Sequence, residues 1–307
     1  MVFAIDIGTE FCKFFRGKRL ESFPSCACLS EDRWAAEKVI SFEGENGQCS
    51  YLVGFDCEML GDPMAHVNTF DDCWPGSDSW IAVFYSALVQ AGLRSGTQVQ
   101  VGLGLPMGRF PWMQGGVRAR LEGQHSFTRK GEDFVVEIEP IIIPQVLASL
   151  YSQSMMSTNV DVMLVDIGAY STGFAMSKDR QLLKHKSGGN PFGFLLVVER
   201  VQDHMKRLFG YECDSRKMAA LFDAKAVWHQ GERIDVAQDM RSIVRKEIEP
   251  LLHELLRMWK DQSDQTIFLT GGWARLCTEE FIDVFPSAHL ANEPFFSTVN
   301  GLRKLVS

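Results

Sequence analysis

The sequence predicts an α/β fold made of two similar domains, and three observations carry that expectation. Asp-Ile-Gly stands at positions 6–8 and again at 166–168, each time after an apolar strand and before another strand. Strand-like runs alternate with helical periodicities along the rest of the chain. The length of 307 residues suits two domains at roughly 150 residues each.

Taken in order, residues 2–6 read as an apolar strand, 11–16 as a second and 19–23 as a third, with Gly17-Lys18 as the turn between the last two. A hairpin is expected over 38–42 and 48–53, because Gly44-Glu45-Asn46-Gly47 suits positive φ. Residues 61–78, rich in Gly, Pro, Asp and Asn, read as a loop. Asp78 then caps a helix running to about Leu93, since Ile81, Phe84, Tyr85, Leu88 and Val89 recur at helical spacing. Residues 99–105 form a strand that stops at Pro106, and 108–120 read as a second long loop. Two polar strands follow at 125–129 and 133–138, and Pro144 opens a helix over 145–153.

The second half begins with a strand at 160–166, paired by alternation with 172–177 and 181–186. Gly188-Gly189-Asn190-Pro191 reads as a helix start, with the helix running to about Gly210, and a short helix covers 215–222. A hairpin turns at Gly231 within 225–235. A long helix over 236–259 contains Pro250, which predicts a kink. A strand at 266–269, a Gly271-Gly272 turn and helices at 273–281 and 297–305 complete the chain. Phe192, Phe194, Trp228 and Trp259 fall at spacings expected of core residues.

Composition narrows the function. Hydrophobic residues make up 46% and charged residues 23%, enough for a full core. The 39 acidic residues against 31 Lys plus Arg give a net charge of −8, opposite to the footprint of a direct nucleic-acid binder. Apolar runs such as 194–198 and 141–143 are too short to cross a bilayer, and the N-terminus lacks a basic leader region. A soluble, cytoplasmic protein without membrane or direct DNA contact is expected. The eight cysteines include no CxxC pair, and Cys26-Ala27-Cys28 lacks the partners of a tetrahedral zinc site, so free thiols are expected. His125, His185, His204 and His253 stand apart from any spaced ligand partner.

The chemistry sits in the repeated tripeptide. A carboxylate at a strand tip followed by Gly fixes an acid beside a turn whose amide N–H groups can meet phosphate. The acid then needs a cation between itself and the phosphate, usually hydrated Mg²⁺. In the first copy, Asp6-Ile7-Gly8-Thr9-Glu10-Phe11-Cys12-Lys13 returns a lysine on the next strand, placed for β- and γ-phosphates. The second copy, Asp166-Ile167-Gly168-Ala169-Tyr170-Ser171-Thr172-Gly173, supplies another carboxylate and two hydroxyls. A third junction, Leu269-Thr270-Gly271-Gly272-Trp273, offers two glycines against which a flat ligand can lie.

This succession of elements resembles the ATPase superfamily of actins, heat-shock proteins and sugar kinases over nearly the whole chain, with Thr270 where a third Gly is common. Within it the chain is most similar to the ParM/StbA plasmid-segregation actins. The stretch 101–107, the stretch 130–145 leading through Ile143-Pro144-Gln145, and Asn300-Gly301-Leu302 resemble their intermediate features in order. The resemblance implies an actin-like bilobal α/β fold: two ribonuclease-H-like domains with a nucleotide cleft between them. Domain I would cover 1–155, with a C-terminal helix 297–307 returning to it, and domain II would cover 156–296. ATP (or GTP) and Mg²⁺ would bind in the cleft, and hydrolysis would be coupled to self-assembly into filaments. A DNA-binding adaptor of the ParR type would link filament to plasmid.

Carried over by the same resemblance, Asp6 and Asp166 would orient hydrated Mg²⁺, and Asp166 would help position the attacking water. Gly8, Thr9, Glu10 and Lys13 would hold nucleotide from one side, and Gly168, Ser171 and Thr172 from the other. Gln145 falls where a water-orienting Gln or Glu is found; Gln orients water by hydrogen bonding without acting as a base, so slow hydrolysis is expected. Gly188 and Gly189 would lie under the ribose, Gly271 and Gly272 beside the base, and Lys217 within reach of either. Each has a plainer alternative: Lys13 a solvated strand residue, Gln145 an ordinary helix-terminal amide, Lys217 surface charge. Two other functions compete, a nucleotide-binding scaffold with little hydrolysis and a small-molecule kinase of the same superfamily. Residues 61–78 and 108–120 are the candidate filament-contact regions.

Overall fold

The computed structural model describes residues 1–30, 38–60, 69, 71–152, 161–179, 181–210, 215–260 and 265–307; of 215–217, 219 and 220 it describes the backbone only. The chain divides into two units, Met1–Thr158 with Phe295–Ser307, and Asn159–Pro294. Among the described residues no helix is long and apolar enough to cross a membrane.

In the first unit β1 (Val2–Ile7), β2 (Phe11–Arg16) and β3 (Arg19–Pro24) form an antiparallel meander in which Asp6 stands opposite Lys13. After β4 (Ala27–Leu29) comes the hairpin of β5 (Ile40–Gly44) and β6 (Gly47–Val53), with Gly47 at φ 105°. Helices α1 (Phe55–Leu60) and α2 (Asp78–Ala91) precede β7 (Thr97–Leu105). Helix α3 (Phe110–Leu121) then leads to β8 (Gly123–Arg129), β9 (Glu132–Pro144) and helix α4 (Gln145–Ser152). The sheet order is β3-β2-β1-β7-β9-β8-β5-β6-β4, with β7 parallel to both β1 and β9.

Alternation along the central strands decides what each face carries. Phe3, Ile5 and Ile7 of β1 join Val99, Val101, Leu103 and Leu105 of β7 in one core, covered by Trp80, Ile81, Phe84 and Leu88 of α2. Ala4 looks the other way, into a second cluster with Ala148 of α4 and with Val299 and Leu302 of the C-terminal helix Ser297–Val306. Asp6 shares Ala4's face by the same period. This face is built for close approach. A Cβ on Gly102 would stand 2.8 Å from Val306, and one on Gly301 would fall 1.6 Å from the carbonyl oxygen of Ala148. Gly301 is thus the point at which the C-terminal helix touches the backbone of α4.

The second unit repeats the plan. β10 (Val162–Ile167) pairs antiparallel with β11 (Thr172–Lys178), which pairs with β12 (Gln181–Leu182) and β13 (Gly188–Asn190). Helices α5 (Phe194–Phe209) and α6 (Ser215–Ala224), the hairpin β14 (Ala226–His229) and β15 (Glu232–Asp235), and helix α7 (Ala237–Met258) intervene. Then β16 (Ile267–Thr270) runs parallel to β10, and helix α8 (Ala274–Val284) leads to β17 (Ala288–Leu290). The order β12-β11-β10-β16-β17 matches β3-β2-β1-β7-β9 strand for strand. Met163, Val165 and Ile167 enter the core with Val244, Ile248, Leu251 and Leu255 of α7, whose spacing is that of one helical face.

Several expectations are corrected. Ser77, not Asp78, caps α2: its Oγ accepts from the Trp80 N–H at 3.3 Å, while Asp78 turns to Arg120 and to the Glu45 N–H. Residues 108–120 are mostly helix, the Gly115-Gly116 pair within α3 having disguised it. Pro144 ends a strand instead of opening α4. The strand expected over 181–186 stops at Leu182 and passes into a 3₁₀ turn, Lys184–Lys186. Gly188–Asn190 is a strand, and α5 starts from Gly193. Trp228 is exposed on its hairpin, away from the core. Residues 61–68 and 70 of the 61–78 loop lie outside the described residues, as do Cys213 and Gln153.

Two outcomes follow for stability. Gly301→Ala forces α4 and the C-terminal helix apart and is expected to cost about 3 kcal/mol or more, read as a shifted urea midpoint; a loss under about 0.5 kcal/mol would contradict the contact. Glu280 is buried on α8, and burial raises its pKa above 4.5 against the smaller pull of Arg241. A carboxyl with a raised folded pKa contributes fully below its unfolded value and loses that contribution as pH rises through the folded one. The melting temperature of Glu280→Gln, relative to the parent, should therefore climb as pH is raised from about 4 to about 7. A pH-independent difference counts against it.

Candidate functional site

In the first unit the candidate side chains Asp6, Lys13 and Gln145 meet at the end of β1. Asp6 is only 2% exposed, so its charge demands partners within the protein. Register supplies one: Lys13, directly opposite on β2, places Nζ 3.1 Å from Asp6 Oδ2. Topology supplies the other: α4 starts on the face that Asp6 shares, and Gln145 Nε2 donates to Asp6 Oδ1 at 2.8 Å. Both carboxylate oxygens are engaged. Lys13 is 13% exposed and so is no solvated strand residue; its Nζ also stands 4.7 Å from the centroid of the Phe295 ring. Gln145, likewise, is more than a helix-terminal amide.

The turn beyond Asp6 is closed by a hydrogen bond from the Gly8 N–H to the Phe11 carbonyl at 3.1 Å, with Thr9 and Glu10 at its tip. A Cβ on Gly8 would stand 3.2 Å from that carbonyl and 3.8 Å from Lys13 Nζ. Gly104 of β7 makes the approach of α4 possible, since a Cβ there would lie 2.8 Å from Gln145 Cγ. Cys12, next to Lys13, is fully buried; burial, reinforced by the Asp6 charge, raises its pKa well above the usual thiol range. It is a packing group.

The second unit repeats the turn: the Gly168 N–H donates to the Ser171 carbonyl at 3.0 Å, against 3.1 Å for its counterpart. Asp166 is partly buried at the same strand position as Asp6. Opposite it on β11 stands Gly173, where the first unit has Lys13, and Gly173 in turn faces Gly189. On the other side Asp166 pairs with Thr270 of β16. Thr270, Asp166, Gly173 and Gly189 thus form one row across the sheet, and Gly188 is the next residue along β13. Gly271, at φ 97°, closes over this row: a Cβ would fall 2.6 Å from Asp166 Oδ1 and 2.3 Å from the Ile167 carbonyl. Gly272 beside it is exposed.

The start of α5 packs on the turn through Gly193, whose Cβ would overlap Ala169 and Tyr170 backbone. Its Phe194 and Leu195 N–H groups donate to the carbonyls of Gly168 and Ala169. Thr172 points inward, its hydroxyl donating to the Phe192 carbonyl at 2.8 Å. Lys217 lies on α6 with its side chain outside the described atoms. The structure therefore brings together Asp6, Gly8, Lys13 and Gln145 in one unit, and Asp166, Gly168, Ser171, Gly189 and Gly271 in the other. Gly104, Gly193 and Phe295 complete these sets. Glycines inside a strand were the readable signal for Gly104; nothing local marks Phe295.

The donor set suits hydrated Mg²⁺. Among the described residues no three His, Cys, Asp or Glu side chains cluster closely enough to hold a metal by themselves. Mg²⁺ keeps most of its water and takes one or two carboxylates with substrate phosphates. A strand-tip aspartate beside a backbone turn meets that need.

Residues 4–147 match the family of actin-like proteins over its N-terminal domain. No curated protein matches the chain by sequence. By structure it is similar to the archaeal actin homolog Ta0583, with a TM-score of 0.83 and 15% identity over 99% of this chain and 98% of that one. The same homolog in complex with ADP gives 0.79 at 16% identity, with the same coverage. The subunit of a 15-stranded ParM filament from Clostridium botulinum gives 0.78 at 16% identity, again over 99% and 98%. The chain has the actin-like fold, and its structural relatives include filament-forming ParM.

The bonding of Asp6 makes a stability prediction. Asp6→Ala leaves the Lys13 ammonium largely buried beside an aromatic ring without its carboxylate, at an expected cost of about 3–5 kcal/mol. Asp166→Ala, in a less covered place, should cost well under half of that. Urea unfolding of the two variants checks the ranking, and equal losses would count against it.

Proposed function

We propose that this chain, actin-like in fold, binds ATP (or GTP) with Mg²⁺ and hydrolyses it slowly as it assembles into filaments. In this reading the filaments act in the cytoplasm and segregate plasmid DNA through a DNA-binding adaptor of the ParR type. The observation that carries the proposal is the twice-built turn: an aspartate at the tip of a central strand, followed by a glycine whose N–H closes the same bond in both copies. The ADP complex of one structural relative and the ParM filament formed by another support it.

Each residue then has a task set by its surroundings. Lys13, charged and largely withdrawn from water, attracts β- and γ-phosphate oxygens. Asp6 and Asp166 are the carboxylates that would hold hydrated Mg²⁺, which when bound neutralises charge developing on the phosphates. The Gly8–Glu10 and Gly168–Ser171 turns lend backbone N–H groups to the phosphates. Gly188, Gly189, Gly271 and Gly272 leave backbone open to ribose and base, with Lys217 as a further candidate contact. Gln145 gives its amide N–H to Asp6, which leaves Oε1 as the acceptor for an attacking water. An amide orients water and does not deprotonate it, so turnover rests on positioning.

That same bond favours a second reading, a nucleotide-binding scaffold with little hydrolysis, because Gln145 is already tied to Asp6. Light scattering and phosphate release, followed together after adding ATP and Mg²⁺, separate them. Polymer with phosphate release supports the segregation actin; polymer with bound nucleotide and no release supports the scaffold. Phosphate transfer to a small hydroxyl acceptor would instead indicate a kinase. Asp166→Ala is expected to keep its fold and lose phosphate release by about a hundredfold or more. Unchanged release would remove Asp166 from the site.

A further inference from the structure

Phe295 stands where the chain returns to the first unit, in the 3₁₀ turn Pro294–Phe296. Its ring is fixed by two edge-on contacts, with Phe11 at 5.6 Å and 75°, and with Phe296 at 4.8 Å and 83°. An aromatic held this firmly is a surface on which something else is placed. What it carries is the Lys13 ammonium, 4.7 Å from the ring centroid.

The chemistry of that contact is specific. An ammonium has three N–H donors on a flexible four-carbon stem, and alone it samples many rotamers. Asp6 takes one donor at 3.1 Å, and the negative face of the Phe295 ring draws the charge from a second side. With those two directions fixed, a phosphate oxygen is the natural third partner. Most of the cost of ordering the lysine is met before any anion arrives.

We infer that Phe295 is a positioning residue for Lys13, setting the place from which its ammonium meets the phosphates of a bound nucleotide. This rests on the nucleotide-binding reading and assigns a regulator of phosphate affinity within the same site. Phe295 acts through Lys13 and touches no reacting atom.

The test compares ATP with adenosine, because only the former has phosphates for Lys13 to meet. Dissociation constants are measured by calorimetry with Mg²⁺ for the parent, Phe295→Leu, Phe295→Tyr, Lys13→Met and the Lys13→Met/Phe295→Leu double variant. Phe295→Leu removes the ring face and should weaken ATP roughly five- to thirtyfold while leaving adenosine within about twofold. Phe295→Tyr keeps the face and should restore the parent's ATP affinity. In the Lys13→Met background, Phe295→Leu should have no further effect, since the charge it positions is gone. If Lys13→Met weakens ATP and Phe295→Leu does not, the inference is overturned and the nucleotide reading stands. Equal weakening of ATP and adenosine by Phe295→Leu also overturns it, by making the ring a general packing element. If Lys13→Met leaves ATP binding unchanged, the nucleotide reading itself fails at Lys13. Should the leucine variant not fold, Phe295→Met fills the space without a ring, and the same comparison decides.

Discussion

A buried carboxylate with both oxygens engaged is the constraint around which the first unit is arranged. Asp6 cannot keep its charge at 2% exposure unless partners reach it from within the protein. Antiparallel register puts Lys13 opposite, and the face shared with Ala4 carries α4 together with the C-terminal helix. For Gln145 to arrive there, the neighbouring strand must have no side chain in the way, which is the place of Gly104. The helix behind it must be held just as near, which is the place of Gly301 against Ala148. A row of absent side chains is thus the consequence of one present charge.

The second unit takes the same turn and settles the charge differently. Its aspartate faces a glycine across the hairpin instead of a lysine, and a second glycine at positive φ closes over it. Asp166 is partly covered where Asp6 is sealed. The two copies share the turn's hydrogen bond and differ in the residue that faces the aspartate. An ammonium suits the holding of phosphate oxygens, and a carboxylate beside a backbone turn suits a hydrated metal.

What could be read in advance follows the range of the interactions. The two Asp-Ile-Gly turns, the Lys13 return and the hairpin at Gly44–Gly47 are local, each fixed by a few neighbouring residues, and all were legible. Gln145 was legible as a candidate only through resemblance; its bond to Asp6, 139 positions away, depends on which face α4 covers. Phe295 was not legible, because its meaning comes from a ring contact with Lys13 and not from its neighbours. Errors arose where a strong local signal served another purpose. Gly115-Gly116 reads as a breaker yet sits inside α3, and Gly188-Gly189 reads as a helix start yet forms a strand in which Gly189 faces Gly173. Asp78 reads as a cap, yet the serine before it accepts the Trp80 N–H while Asp78 binds Arg120 and the Glu45 N–H.

The similarity in fold at about 15% identity follows from the same physics. The backbone of such a chain is specified by alternation, by a few glycines where backbones touch, and by an acid at a strand tip. Those demands name few residues, so the remainder of the sequence is free to drift while the trace is retained. They also fail to name a reaction. In this chain the strand-tip acid of the first unit meets an ammonium that lies between it and an aromatic face, with an amide on its other oxygen.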